Sequence, residues 1–113
     1  MFKWCPWADA LFALDIPWWE RYCEWAAAAF AGRCYAGAPN GFGIEATPAL
    51  HYANSGTGAV SLAAHFGCDH IIVIGVDCSQ GPQGETHCHG DHPATLGNAH
   101  SIAEWPDKFA RCA

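Results

Sequence analysis

The chain has 113 residues, 51% of them hydrophobic and only 14% charged, and its five Lys and Arg against eleven Asp and Glu give a formal net charge of −6. That length suits one domain, about 100–150 residues being the usual size, and six Trp with six Phe and three Tyr exclude a disordered chain. No apolar run approaches the ~20 residues of a membrane span, and MFKWCPW lacks the basic-then-apolar order of a secretory signal. With so few basic residues there is no stripe to neutralise phosphates, so the expected partner is a small molecule or an ion and not a nucleic-acid backbone.

The seven cysteines (Cys5, Cys23, Cys34, Cys68, Cys78, Cys88, Cys112) are odd in number and show no CxxC spacing. Without an export signal they read as reduced thiols of a cytoplasmic protein, most of them small core residues. The charged fraction lies well below the roughly 25% of an average domain. An apolar face turned toward a partner is therefore expected, the chain being a fragment or a subunit.

In chain order, Ala8 to Asp15 (ADALFALD) is an apolar run of strand length between Pro6 and Pro17 and is expected as a buried strand. Pro17 suits the first turn of a helix capped near Asp15 or Ile16, and the Ala-rich Trp18 to Ala31 continues it. Spacing by three and four puts Trp18, Tyr22, Trp25 and Ala29 on the inner face, with Gly32 closing the helix. Arg33 to Ala36 reads as a second short strand and Gly37 to Gly43 as a turn, while Ile44 to Ala53, broken by Pro48, is ambiguous. In NSGTGAVSLAAHFGCDHIIVIGVD, Ser55 or Thr57 can cap a helix that turns Val60, Leu62, Ala63 and Phe66 inward and ends at Gly67. Ile71 to Val76 is a continuous apolar run, expected as a strand buried on both faces and hence part of a parallel, helix-covered sheet. Residues 78–99 form a long His-containing loop of the kind usually tied to function. His100 to Ala113 is expected as a last helix packed by Ile102, Trp105 and Phe109, with Pro106 delaying or kinking its start.

Three constellations carry chemistry. Ligands of open parallel sheets bind at the carboxyl ends of strands, where helix N-termini present free amides. Asn54, Ser55, Gly56 and Thr57 occupy such an N-terminus and are candidate ligands for an anionic group, the glycines allowing close approach to the backbone. Asp77, at the end of the following apolar run, is placed to contact a hydroxyl or a metal. Capping and tight turns alone also account for the hydroxyls and glycines, and the spacing is neither a dinucleotide GxGxxG nor a Walker loop. The second constellation is His87-Cys88-His89-Gly90-Asp91-His92. HxHxDH is the zinc signature of metallo-β-lactamase-fold hydrolases, but only 21 residues follow His92, too few for the remaining ligands of that fold. A single zinc or other divalent ion held by His87, His89, Asp91 and His92 is the simpler metal reading. His87, His89 and His92 are also candidate general bases, and a polar loop whose histidines cap or pack is the plain alternative. The third is aromatic: Trp4, Trp7, Trp18, Trp19 and Trp25 suit a stacking platform, a core or a subunit interface.

Taken together, PWADALFALDIPWWERY, NSGTGAVSLAAHFGCDHIIVIGVD and THCHGDHP, with the later Trp105 and Phe109, resemble a group of phage and prophage proteins of unassigned function. The middle block is also similar to family 42 sialyltransferases and to the 6-hydroxymethylpterin pyrophosphokinase-like domain. The resemblance implies a Rossmann-like, three-layer α/β domain with a short parallel sheet, encoded by phage or prophage and working in the bacterial cytoplasm. It also implies a nucleotide or nucleotide-sugar pocket beside Ser55-Gly56, lined by the strand ending at Asp77, with a His from a later segment as base. The sialyltransferase-like relatives open with a strand and a glycine-rich GxGPSL turn and close with a further strand. Neither is found in this sequence, so the resemblance implies a single unit over residues 1–113, truncated at both ends, either transferase-like or inactive. Such a unit leaves sheet edges and apolar surface unpaired, which makes a homo-oligomer the expectation, and a non-catalytic phage interaction subunit with an aromatic face is the alternative.

Overall fold

The structure is a computed structural model and describes residues 5–48, 53–76, 78–86, 92–93, 96 and 101–112. The chain folds as mixed α/β: β1 (Ala10–Ala13), α1 (Ile16–Ala29), β2 (Arg33–Ala36), β3 (Glu45–Ala46), α2 (Ser55–His65), a 3-10 turn (Ile102–Glu104) and α3 (Trp105–Ala110). The three strands form one parallel sheet in the order β1-β2-β3, with Ala10 opposite Arg33, Ala13 opposite Ala36, and Tyr35 opposite Glu45. Parallel neighbours require crossover connections, and α1 supplies the first of them.

Alternation along the strands divides the two faces. Leu11, Ala13, Cys34 and Ala36 pack with Trp19, Cys23 and Ala26 of α1 to form the principal core. On the other face Phe12 lies against Gly58 of α2, and Tyr35 meets Phe66 just past the end of that helix with ring centroids 5.4 Å apart. Helices therefore cover both faces of a short parallel sheet.

α1 begins where the sequence places it, with Asp15 at the N-cap and Pro17 in the first turn. Its inner face differs from the expected one by one residue. Trp19 is fully buried and Ala26 with it, whereas Trp18 is half-buried and Trp25 is 56% exposed. The indole decides the rotation: Trp19 Nε1 donates to the Ala13 carbonyl at 3.0 Å, so the ring enters the core with its only polar group satisfied. Trp18 packs edge-on against it, centroids 4.8 Å apart. The helix stops at Ala29, and Gly32 serves a different purpose from closing it. A Cβ there would run into the Ala8 and Asp9 backbone, which Arg33 N–H joins through the Asp9 carbonyl at 2.8 Å.

The turn at residues 37–43 is organised by Asn40. Its Oδ1 accepts from the amides of Phe42 and Ile44, and its Nδ2 donates to the carbonyls of Ala38 and Ile44. The ambiguous stretch after it contributes the two-residue β3, tied to β2 by the exposed Arg33–Glu45 ion pair at 2.6 Å. The C-terminal helix is delayed as Pro106 requires, a 3-10 turn preceding α3 and burying Ile102.

The largest departure is Ile71 to Val76, which forms no strand. Ile72 and Ile74 are 85% and 86% exposed, and Ile71 and Val73 are exposed too. An apolar run becomes a strand only by pairing. Gly75 within it adopts φ +76° and Cys78 just beyond it φ +54°, left-handed values that interrupt any extended run there. β1 is also more open than expected of a buried strand, since Ala10 is exposed and Leu11 and Phe12 are half-buried. No helix among the described residues is long and apolar enough to cross a membrane.

Two measurements test this packing. Trp19→Phe keeps most of the buried area but leaves the Ala13 carbonyl without its donor, so urea unfolding is expected to show a loss of about 1–3 kcal/mol, and Trp19→Ala a loss of about 3–5 kcal/mol. Burial pushes the Cys34 thiol above its usual range; at a given pH less of it is thiolate, and its alkylation rate should keep rising to higher pH. In a limited alkylation at pH 8 followed by peptide mass mapping, exposed Cys68 is expected to react early and Cys34 late.

Candidate functional site

Three side chains assemble the junction between β1 and α2. Asn54 is the N-cap, and its Oδ1 accepts from Thr57 N–H at 2.9 Å. Thr57 Oγ1 reaches back to accept from the amides of Ala53 and Asn54 at 2.9 and 3.0 Å, and donates to the Asn54 carbonyl at 3.0 Å. This is a capping box with Thr in the return position. Ser55 Oγ accepts from the Leu14 amide at 3.1 Å, which fastens the start of α2 to the chain just past the end of β1.

These bonds change what each expected ligand residue can offer. Asn54 takes the capping role expected of Ser55 or Thr57. Thr57 is fully buried and its hydroxyl is committed within the box, while the Ser55 hydroxyl already has a donor. The glycines are close-packed by side chains and not left bare for a ligand. A Cβ on Gly58 would stand 2.7 Å from Phe12 Cζ, and one on Gly56 would stand 2.8 Å from Phe109 Cζ. α3 thus leans over the start of α2, where Cys112 Sγ also approaches the Thr57 carbonyl at 3.9 Å.

The remaining polar groups are donors. The first four amides of a helix lack intrahelical acceptors. Here Gly58 N–H bonds the Asn54 carbonyl at 3.0 Å and Thr57 N–H the Asn54 side chain, which leaves Ser55 N–H and Gly56 N–H as the first-turn amides outside the box. Asn54 Nδ2 is buried without a hydrogen-bond partner among the described residues. No acidic residue lies in the first turn of α2. Leu14, Phe109 and Cys112 are the site residues that sequence reasoning missed, and each comes from an element remote in sequence from the NSGTG segment.

Asp77, His87, His89 and Asp91 lie outside the described residues, and His92 is half-buried. Among the described residues no three His, Cys, Asp or Glu side chains gather closely enough to hold a metal ion. The tryptophans do not form one platform: Trp19 is core, whereas Trp7 is 78% exposed and Trp4 lies outside the described residues. Comparison with known protein families, curated proteins and solved structures finds no match to this chain.

The capping box predicts a graded response. Asn54→Ala is expected to cost about 1 kcal/mol of stability, whereas Asn54→Asp, an equally good cap that also complements the helix dipole, should unfold at a urea concentration close to the parent's.

Proposed function

We propose that this chain is a Rossmann-like α/β domain that binds a nucleotide or another phosphorylated small molecule at the carboxyl edge of its sheet. The observation that supports this reading is the donor set at the start of α2: two first-turn amides outside the capping box and a buried carboxamide Nδ2 with no acceptor among the described residues, beside the end of a parallel strand. Such a set matches phosphate oxygens, which accept hydrogen bonds and complement the positive end of the helix dipole. Parallel sheets present this edge to ligands because their helices begin there.

In this reading the phosphate is held by Asn54, Ser55 and Gly56 through backbone N–H and carboxamide donors, and Thr57 acts by holding the turn. Asp77 is assigned to a ligand hydroxyl or a divalent ion, and one of His87, His89 and His92 to proton transfer if the domain is a transferase. These assignments rest on the sequence and on its resemblance to the phage and sialyltransferase-like proteins.

The test is thermal unfolding with CMP, a CMP-sugar or inorganic pyrophosphate. A ligand at a hundredfold excess over its Kd adds about 2.7 kcal/mol, a rise in Tm of roughly 10 °C or more for a domain this small. Asn54→Asp retains the cap but places a carboxylate against the phosphate, so it should keep the parent Tm and lose the ligand-induced rise. If none of the three ligands raises the Tm, or if Asn54→Asp leaves the rise unchanged, the proposal fails.

A further inference from the structure

On the α2 side of β1 an apolar groove of about 340 Å³ runs between the strand and the helix. Ala8, Ala10 and Phe12, alternate residues that share one face, form one wall, and Ala59, Leu62 and Phe66 form the other. β1 is a terminal strand of the sheet among the described residues, so the groove follows the sheet's edge. Phe66 is 52% exposed at its rim. A short distance further along the chain stands Ile71-Ile72-Val73-Ile74, four consecutive exposed β-branched residues with strong strand propensity. The run matches the four residues of β1 in length. Ile72 and Ile74, two residues apart, would share one face of a strand and present two adjacent aliphatic side chains to the groove wall formed by alternate residues of β1.

In this structure the chain's own run stands exposed to solvent, and it matches the groove in apolar chemistry and the β1 edge in length. We propose that the groove beside β1 is the docking site for the Ile71–Ile74 run of a second copy of this chain. The run adds as a strand at the β1 edge with Ile72 and Ile74 seated between β1 and α2. The exchange is reciprocal: each copy gives one run and receives one, which makes a closed two-fold dimer with neither groove left open. Gly67, in the left-handed region at φ +85°, and the exposed Cys68-Asp69-His70 that follows it form the hinge. Association removes from water the most exposed large aliphatic residues among those described and supplies an edge strand with a neighbour, the two liabilities that otherwise lead to open-ended aggregation. It is independent of the phosphate reading, because the groove lies along the length of β1 and not at its carboxyl end.

Light scattering on a sizing column from 1 to 100 μM tests this with the whole chain. The parent is expected at twice the chain mass in the upper part of that range, and the double variant Ile72→Asp/Ile74→Asp at the chain mass at all concentrations, with unchanged far-ultraviolet circular dichroism, since both side chains are exposed in the single copy. A mixture of isotope-labelled and unlabelled parent should give intermolecular NOEs between the Ile72 or Ile74 methyls and Leu62. A parent that is monomeric at 100 μM overturns the proposal, and so does a dimer that survives the double substitution. It is equally overturned if the double variant fails to fold, or if the NOEs to Leu62 arise only within one chain, because either result places the run in its own chain's groove.

Discussion

The end of β1 is the point from which the two helical layers are set. A four-residue terminal strand leaves its last backbone groups with little sheet to satisfy them, and here two consecutive ones are taken up by side chains. The Ala13 carbonyl accepts from the Trp19 indole of α1, and the Leu14 amide donates to Ser55 at the start of α2. Leaving either group buried and unpaired would cost about 1–3 kcal/mol, comparable with a core contact. Because the two side chains come from helices that cover opposite faces, this short stretch of backbone fixes both layers relative to the sheet. It also fixes the start of α2 at the sheet's carboxyl edge.

Much of the architecture follows from local rules. Pro17 and Asp15 set the start of α1, Gly67 ends α2, Pro106 delays α3, and Asn40 sits in a Gly- and Pro-containing turn. The failures share a physical origin in contacts between elements distant in sequence. Periodicity cannot separate Trp18 from Trp19 when apolar residues adjoin; the Ala13 carbonyl chooses between them. Gly56 and Gly58 read equally well as ligand-facing or packed until Phe109 and Phe12 are seen against them. Ser55 was legible as a polar group at a helix start, but its partner lies 41 residues earlier in the chain. The run at Ile71 to Val76 is the plainest case, since hydrophobicity and β-branching describe what a segment can bury but not the surface that receives it.

The capping box separates two roles that the NSGTG segment carries together. Thr57 and the Oδ1 of Asn54 are spent in holding the turn, so the proposed phosphate reading falls on groups that sequence patterns do not distinguish: main-chain amides and the second atom of a carboxamide. A site of this kind depends little on side-chain identity and strongly on backbone placement. The aromatic rings of Phe109 and Phe12 over Gly56 and Gly58 then act as supports, packing against the turn that the box holds.

Two helices begin at the carboxyl end of β1, and their N-termini are not equivalent. α1 starts directly after Asp15, whose carboxylate lies at the cap without bonding the helix amides, and Pro17 removes one of the free donors. The positive end of α1 is thus offset by a charge of its own chain. α2 has neither an acidic residue nor a proline in its first turn, and its cap is the uncharged Asn54. With a net charge of −6 the molecule as a whole repels anions, but at physiological ionic strength that repulsion fades over about 8 Å, whereas hydrogen bonds from the first turn act at contact. An anion arriving at this edge therefore meets a compensated helix end on the Asp15 side and an uncompensated one on the Asn54 side. Under the proposed reading, the difference between the two caps, a carboxylate against a carboxamide, favours α2 over α1 as the place where an anion binds.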